Sequence, residues 1–274
     1  MSSTRHLAPP AQTSKLREFL KWILPERVRR SLVSAIHLVR RRLRNFERRP
    51  AVGWVRFGSF RRLDPIDRQY GWKWGQVLDR YYIEEFLGEF SADIRGRVLE
   101  VANNHYTVRF GGDRVVQSDV LHYSSGNPNA TIIGDLTQAD HIPSNSFDCI
   151  ILTQTLQFIY RFGSAIDTLH RILKPGGTLL ITSHGISQIS RSDMNNWGEY
   201  WRFTSLSLRK AFGEVFPDSH ITIKAYGNVL AATGFLHGLT AGEFRKEELD
   251  YRDPDYEVIL GGRIVKPDTP SVLK

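Results

Sequence analysis

The sequence predicts an α/β fold, a doubly wound and mostly parallel sheet, preceded by a basic helical arm. Short β-branched apolar runs alternate with helical patterns after residue 97, which is typical of such a sheet. Basic residues are concentrated near the N-terminus. With 274 residues, 41% of them hydrophobic and 24% charged, the chain can bury one sizeable core. No apolar run approaches the ~20 residues of a membrane span, and no secretory signal is visible, so neither is expected.

Residues 1–62 form the predicted arm and linker. They carry 16 Lys and Arg against 3 Asp and Glu, whereas the remainder of the chain has a slight acidic excess. Apolar residues recur at helical spacing through Val28, Leu32, Val39 and Leu43, flanked by arginines. Such helices can bind an anionic membrane peripherally through residues 15–49, or pack on the body or another subunit. Nucleic acid is an unlikely partner, because few aromatic residues are interleaved.

The single cysteine, Cys149, excludes an internal disulfide and a cysteine-based metal cluster. A reducing, cytoplasmic location is therefore expected. If the basic arm binds lipid, the protein would associate peripherally with the inner membrane face.

Seven strands are expected in the body. Five are predicted at 98–102, 114–118, 131–133, 147–153 and 178–183, and two more at 220–226 and 256–265. Helices are predicted at 163–173, 205–212, 228–239 and 243–250. The run Lys174–Gly177, KPGG, is expected to stop the first of these helices, because proline does not continue a helix and glycine permits a reversal. The pattern is that of a Rossmann-like, mostly parallel seven-stranded sheet.

Polar and acidic residues follow the predicted strand ends, at Glu100–Asn104, Asp119, Asp135 and Thr153–Gln154. In open α/β sheets, ligands bind beyond the carboxyl ends of the strands, near the point where strand order reverses. These loops are therefore expected to share one cleft.

Four stretches of the chain, VLEVA, QSDV, GDL…IPSNSFDCIILTQTLQFI and LHRILKPGGTLLIT, resemble class I S-adenosylmethionine-dependent methyltransferases. The resemblance covers roughly residues 70 to 266. More narrowly, DRYYIEEFL, ISQISRSDMNNWGEYWRFT and YGNVLAATGFLHGLTAGEF resemble bacterial methyltransferase-domain proteins associated with polysaccharide and glycan biosynthesis. The expected organisation is the arm over 1–62, a lid or helix region over 63–96 and a methyltransferase-like α/β domain over 97–274.

The resemblance implies S-adenosyl-L-methionine as the cofactor and suggests which residues bind it. Asp119 would accept hydrogen bonds from the ribose hydroxyls, Asp135 would contact the adenine amino group, and Glu100 would orient the first loop or reach the methionine amino group through water. The full set of predicted cofactor contacts is Glu100, Val101, Ala102, Asn103, Asp119, Asp135, Leu136, Thr153 and Gln154.

The first loop departs from the family pattern. Members usually have two or three glycines where this sequence has Ala102, Asn103, Asn104 and Tyr106. Because asparagine adopts positive φ more readily than other residues with a Cβ, Asn103 and Asn104 are expected to keep the turn. The cofactor has no diphosphate, so the strict requirement for a phosphate cradle is relaxed.

Methyl transfer needs the nucleophile and the methyl group held within about 3–3.5 Å and in line. If the acceptor is a hydroxyl, a general base assists. His184, directly after the fifth predicted strand, is the first candidate, followed by His105 and Asp193. Each could instead be an ordinary surface or hydrogen-bonded residue.

The stretch 186–204 concentrates aromatic and charged side chains, which suit a sugar or a phosphorylated acceptor. The predicted acceptor contacts are Arg191, Trp197, Tyr200, Trp201 and Arg202. Trp201 and Phe203 could instead close the core. Tyr81 and Tyr82 could belong to a lid helix over the cofactor or to a plain amphipathic helix.

The first functional hypothesis is O-methylation of a glycan or related small-molecule acceptor. The second is a catalytically inactive methyltransferase-like binding or scaffold domain, recruited to a membrane or partner by its arm. A nicotinamide-dependent enzyme is disfavoured because the first loop lacks G-x-G-x-x-G. No metal is expected, because no ligand spacing suited to one occurs. The acceptor, the methylated atom and the oligomeric state are open at this stage.

Overall fold

A computed structural model describes residue 50 and residues 52–268. The chain divides into two compact units, Met1–Arg61 and Arg62–Lys274. The arm helices predicted within 15–49 lie outside the described residues. The second unit unites the two regions, 63–96 and 97–274, that the sequence analysis treated separately.

Seven strands form one sheet in the second unit. They are β1 (Gly96–Val101), β2 (Val115–His122), β3 (Ile132–Ile133), β4 (Phe147–Thr153), β5 (Leu173–His184), β6 (Ile221–Tyr226) and β7 (Ile259–Val265). Their order is β3-β2-β1-β4-β5-β7-β6, and only β7 pairs antiparallel with its neighbours in this sheet of described strands. The predicted Rossmann-like, mostly parallel fold is confirmed. Strand order reverses between β1 and β4, which is where such sheets bind ligands.

Helices cover both faces of the sheet. They are α1 (Leu78–Glu89), α2 (Phe162–Ile172), α3 (Arg191–Asn196), α4 (Ser205–Gly213), α5 (Val229–Leu236) and α6 (Lys246–Asp250). Successive residues of β4 alternate between two cores, since Ile150 packs in one and Ile151 in the other. The first core includes apolar residues of α2 and α4, and the second includes those of α1 and α5.

Helix α1 packs on β7 at a glycine. A Cβ added to Gly261 would lie 2.5 Å from the ring of Phe86, a fully buried residue of α1. The absence of a side chain at this position therefore sets how closely α1 approaches the sheet.

The KPGG run does not form the turn that the sequence predicted. Helix α2 ends at Ile172, and Lys174–Gly177 lies inside β5. The β4–β5 register jumps from Phe147↔Leu173 to Cys149↔Thr178, so the run forms a bulge, with Gly176 at φ +72°. A bulge and a helix-ending turn both place a glycine at positive φ, so the KPGG pattern is compatible with either.

Strand β2 is longer than predicted. It continues past 118 to His122, because its last residues pair with Val101 of β1 and with β3. Asp119 therefore lies within the strand, opposite Leu99, and not at its carboxyl end.

Candidate active site

A cleft of about 1780 Å³ opens at the carboxyl ends of the parallel strands. Its walls are the ends of β1, β2, β4 and β5, the loop after β3, the start of α1 and the segment 190–200. The sequence-predicted residues that line it are Glu100, Val101, Ala102, Asn103, His105, Asp135, Leu136, Thr153, Gln154, His184, Arg191, Asp193, Trp197 and Tyr200. Most of the predicted site is thus brought together in one place.

Asp119 is not among the residues that line the cleft. Its buried carboxylate accepts a hydrogen bond from Arg97 Nε at 2.7 Å, and others from Gln117 Nε2 at 3.1 Å and Thr131 Oγ1 at 3.0 Å. Both oxygens already have partners inside the protein. Asp119 therefore lies outside the cleft in which the ribose was expected, because the extra residues of β2 move the strand end past it.

His122 and Tyr123 occupy the position at the end of β2 where the ribose acid was expected, and both line the cleft. His122 Nδ1 lies 2.8 Å from the carbonyl oxygen of Ser124, which fixes the ring. Both rings contact Trp197 edge-on, at centroid distances of 6.2 and 6.1 Å. Neither residue was among the predicted cofactor contacts, because β2 was expected to end at 118 and it ends at His122.

The loop after β1 keeps a left-handed turn, but not at the asparagines. Ala102 has φ +72°, whereas Asn103 and Asn104 have negative φ. The N–H of Ala102 donates to Leu121 at 2.9 Å, and its carbonyl accepts from Asn127 Nδ2 at 2.6 Å. The prediction that Asn103 and Asn104 supply the glycine-like conformation is wrong, because hydrogen bonds on both sides hold Ala102 in it.

Glu100 holds the next part of this loop in place. Its buried carboxylate accepts from the backbone N–H groups of Tyr106 at 3.2 Å and Thr107 at 2.7 Å, and from Thr107 Oγ1 at 2.7 Å. Burial raises the pKa of Glu100, although these hydrogen bonds oppose the rise. Of the two predicted roles, the geometry supports orienting the loop.

Asp135 and Gln154 occupy the loops after β3 and β4. Asp135 Oδ1 accepts from Thr137 N–H at 2.8 Å, so one carboxylate oxygen orders the loop beside buried Leu136. Gln154 adopts φ +47°, and its N–H donates to Thr182 at 2.9 Å. The neighbouring Thr153 is the last residue of β4, and all four residues line the cleft.

His184 and Asp79 form a buried pair in the cleft wall. His184 Nε2 lies 3.8 Å from Asp79 Oδ2, which is too far for a hydrogen bond. His184 Nε2 and Asp79 Oδ1 are buried and have no hydrogen-bond partner among the described residues. Burial alone would raise the pKa of Asp79, but the nearby His184 and Arg80 bring it below its ordinary value.

Gln157 fixes the other side of the imidazole. It is fully buried, and its Nε2 lies 3.4 Å from His184 Nδ1 and donates to Gln154 Oε1 at 3.0 Å. Ser183 Oγ donates to Gln157 Oε1 at 3.0 Å, which orients the amide. His184 is thus held on its Nδ1 side, and its Nε2 side faces Asp79.

Arg80 is a half-buried cation of the cleft wall. Its Nη1 donates to Tyr106 Oη at 3.1 Å, and its guanidinium lies 5.6 Å from the ring centre of Trp72. Burial is the largest influence and lowers the pKa of Arg80, but Asp79, Tyr106 and Glu84 together raise it above its ordinary value, so Arg80 stays charged. Asp79 and Arg80 were not among the predicted site residues. An acid on the apolar face of this helix was a usable signal, since Asp79 is buried together with Leu78, Tyr82, Ile83 and Phe86.

The acceptor loop divides into two sets of residues. Arg191, Trp197 and Tyr200 are exposed and line the cleft, as predicted. Trp201 and Arg202 do not line it, because Trp201 packs on the core and donates to Ile159 at 3.2 Å. Arg202 Nη2 donates to the carbonyl of Gln188 and forms an ion pair with Glu199. The acceptor role predicted for Trp201 and Arg202 is therefore corrected to a structural one.

The remaining predicted residues have simpler surroundings. His105 is exposed at the cleft, and Asp193 is half-buried in the first turn of α3. Tyr82 is buried in the core and donates to Leu249 at 3.2 Å, while Tyr81 donates to Asp250 at 2.8 Å. Neither tyrosine lines the cleft, so α1 contributes to the site through Asp79 and Arg80 instead.

None of the described helices combines the length and apolar character needed to cross a membrane. The described side chains also include no group of three or more His, Cys, Asp or Glu residues placed to hold a metal ion.

The sequence of residues 88–181 matches the family model of a methyltransferase domain. This region of the chain is therefore similar to methyltransferase domains. The match supports the predicted methyltransferase class, and the matched region runs from before β1 through most of β5. It includes the turn at Ala102 and the cleft residues Glu100, Asp135 and Gln154.

Similar proteins match parts of the chain. A ubiquinone/menaquinone biosynthesis C-methyltransferase of Hydrogenovibrio crunogenus is 31% identical over 123 residues, 45% of this chain and 44% of that protein. A probable polyketide synthase of Dictyostelium discoideum is 30% identical over 77 residues, 28% of this chain and 3% of that protein. The chain thus spans less than half the length of the curated relatives it matches. A solved phosphoethanolamine N-methyltransferase of Haemonchus contortus with S-adenosyl-L-methionine has a TM-score of 0.49 and 17% identity, covering 78% of this chain and 61% of that one.

Proposed function

We propose that this chain is an S-adenosylmethionine-dependent methyltransferase that methylates a hydroxyl oxygen of its acceptor. The observation that carries the proposal is the pair of buried, unpartnered atoms in the wall of the methyltransferase-domain cleft, His184 Nε2 and Asp79 Oδ1. Leaving buried polar atoms without partners costs stability, so such atoms point to a group that binds there. A hydroxyl, which both donates and accepts, suits a histidine and a carboxylate together.

The residues of the cleft fit S-adenosyl-L-methionine, which is the cofactor of this domain. Asp135 and Leu136 would hold the adenine, and His122 with Tyr123 would take the ribose in place of the expected acid. The left-handed turn at Ala102 keeps the backbone path that glycine usually provides, so the first loop leaves room for the methionine portion. Arg80 supplies a cation for the methionine carboxylate.

The chemistry places specific demands on the chain. The cofactor supplies an electrophilic methyl group on a sulfonium. Helix α1 and the loops after β1 and β4 exclude water and align the acceptor oxygen, which is the main protein contribution to an in-line displacement. His184 Nε2 would take up the proton that the acceptor hydroxyl loses when the methyl carbon exchanges its bond to sulfur for a bond to oxygen, leaving the neutral thioether. The carboxylate of Asp79 would stabilise the protonated imidazole.

The acceptor is a glycan or a related hydroxyl-bearing molecule of the kind found in polysaccharide biosynthesis. Trp197 and Tyr200 are exposed at the cleft and present ring faces, which suit the apolar face of a sugar. The experiment below also tests two alternatives to methylation of such a hydroxyl. The quinone C-methyltransferase relative favours a carbon atom as the methylated position, and the second sequence hypothesis was an inactive scaffold domain.

Calorimetry followed by a labelling assay tests the proposal. The full-length protein is first titrated with S-adenosylhomocysteine, and micromolar binding is expected. It is then incubated with methyl-labelled cofactor and a cell-envelope extract, and the labelled product is analysed by NMR for an O-methyl signal. Asp79→Asn and His184→Gln should bind the product cofactor and lose labelling. No heat of binding would favour the scaffold, and a C-methyl signal would replace the hydroxyl acceptor.

A further inference from the structure

The charged side chains of the cleft differ in sign between its exposed mouth and its buried interior. Among the described residues that line it, the exposed charged side chains are all cations: Arg68, Lys73, Arg161 and Arg191. The acids that line it are buried or half-buried: Asp79, Glu84, Glu100, Asp135, Asp193 and Glu199. Arg68 forms an ion pair with the exposed carboxylate of Asp64, so the positive charge at the mouth of the cleft comes from Lys73, Arg161 and Arg191. The second unit nevertheless carries an acidic excess overall.

Large apolar side chains project beside these cations. Trp72 and Trp74 are 58% and 76% exposed, and Leu63 is fully exposed on the approach to the same turn. Four further exposed aromatic residues line the cleft: Tyr123, Tyr160, Trp197 and Tyr200. Exposed tryptophans in such a group are uncommon on a surface that meets only water.

The tryptophan-bearing turn is built to present its side chains outward. Asp67 accepts hydrogen bonds from the N–H of Gly71 at 3.4 Å and from Trp74 Nε1 at 3.2 Å. The N–H of Asp67 donates to the carbonyl of His237 at 3.0 Å, which ties the turn to the end of α5. Trp72 and Trp74 are thus held in position while their rings stay exposed.

We propose that the rim of the cleft docks on an anionic lipid bilayer. The cleft rim consists of Leu63, Arg68, Trp72, Lys73, Trp74, Tyr123, Tyr160, Arg161, Arg191, Trp197 and Tyr200. Tryptophan and tyrosine rings favour the headgroup level of a membrane, and arginine and lysine meet lipid phosphates. The active cleft then opens toward the bilayer, and its acceptor is carried by a lipid. The lipid-borne acceptor rests on the proposed function, whereas docking of the rim does not.

Charge complementarity alone would also fit a soluble phosphate-bearing ligand. Such a ligand has no use for Trp74, which is exposed next to the lining residue Lys73 but does not itself line the cleft. A bilayer contacts both the cations and such an apolar side chain at once. The rim therefore favours a membrane surface.

Tryptophan quenching by lipids brominated on their acyl chains tests the docking surface. The full-length protein is mixed with vesicles of phosphatidylglycerol and phosphatidylcholine, or of phosphatidylcholine alone. Quenching is expected only with the anionic vesicles, and Trp72→Phe/Trp74→Phe should remove most of it while binding persists. If docking used the N-terminal arm alone, quenching would survive this substitution and the proposal would be overturned.

A matched pair of charge variants provides the second test. Each cation at an anionic surface contributes about fivefold in partitioning, so Lys73→Gln/Arg161→Gln should bind vesicles about 25-fold more weakly. Arg95→Gln/Lys210→Gln removes the same charge from exposed residues that do not line the cleft, and should have little effect. Melting temperatures check that all variants fold.

Equal losses in both pairs would overturn the proposal. Release of bound vesicles by millimolar inorganic phosphate at constant ionic strength would do so as well, because it would indicate a soluble-anion site. If calorimetry shows no cofactor binding, the proposed function is overturned, but the vesicle experiments still test the docking surface.

Discussion

His184 Nε2 lies 3.8 Å from Asp79 Oδ2, and the two residues are separated by 105 positions in the sequence. One comes from the end of β5 and the other from the first turn of α1, so the sheet and a helix packed on it meet at this pair. Both side chains are buried, and each retains an atom without a hydrogen-bond partner among the described residues. The site is therefore assembled by packing.

Asp79 should make stability depend on pH in the acid range. Its pKa is lowered in the folded state, so its ionised form contributes stability above the unfolded pKa of about 3.9, and this contribution is lost as pH falls through the folded value. Asp79→Asn is expected to be less stable by about 1–3 kcal/mol at pH 6, with the difference shrinking below about pH 4. Urea unfolding of both proteins between pH 3 and 7 measures this. A difference that stays constant down to pH 3 would contradict it.

Removing the imidazole should affect catalysis more than cofactor binding. His184→Gln is expected to lower kcat by about 10²–10⁴-fold, the usual contribution of a general base, with the affinity for S-adenosylhomocysteine nearly unchanged. His141→Gln is the matched control, since His141 is exposed and does not line the cleft. An equal loss in both variants would assign no role to His184.

Asp119 should act on stability and not on cofactor affinity. Asp119→Ala leaves Arg97 without its carboxylate partner and is expected to cost about 1–2 kcal/mol of unfolding free energy. His122→Ala should instead weaken S-adenosylhomocysteine binding, because His122 lines the cleft. Chemical denaturation and calorimetry on both variants separate the two roles. Loss of affinity in the Asp119 variant alone would restore the ribose role to it.

The turn at Ala102 should gain stability from a glycine. An alanine in the left-handed region costs roughly 1 kcal/mol, so Ala102→Gly is expected to raise the free energy of unfolding by up to about that amount. Ala211→Gly, within helix α4, should lower it by about 1 kcal/mol. Parallel urea titrations give both values, and a destabilised Ala102→Gly would show that the methyl group packs usefully.

Arg80 should distinguish two ligands that differ in one group. S-adenosylhomocysteine carries the amino acid carboxylate, and 5′-methylthioadenosine lacks it. Arg80→Met is expected to weaken binding of the first by about 10–100-fold, equivalent to about 1.4–2.7 kcal/mol, and to leave the second almost unchanged. Calorimetry with both ligands checks this. Equal weakening would mean that Arg80 only supports the fold through Tyr106.

The sequence predicted the sheet well where burial dominates. Strand β4 lies at 147–153 as expected, because a central strand covered on both faces is one continuous apolar run. Strand β2 was cut short at 118, because Gln117, Ser118 and Asp119 are polar and only pairing with β1 and β3 reveals that the strand continues. That single difference moved the expected ribose residue out of the cleft.

The details of the site depended on contacts between distant residues. Backbone preference favoured the asparagines for the left-handed turn, but hydrogen bonds to Leu121 and from Asn127 place Ala102 there. Asp79 and Gln157 belong to no motif, and only the fold brings them to His184. Local pattern therefore predicted which loops form the site and not which side chains face one another.

The contact between α1 and Gly261 of β7 links the sheet to the part of the cleft wall that α1 provides. Phe86 rests on that bare backbone near one end of α1, while Asp79 and Arg80 sit near the other. Because α1 is one continuous helix, a displacement at Phe86 is expected to displace Asp79 and Arg80 as well. A methyl group added at residue 261 would lie 2.5 Å from the Phe86 ring, so α1 would have to move and would carry Asp79 with it. A position on β7 that does not line the cleft is therefore expected to affect the distance between Asp79 and His184.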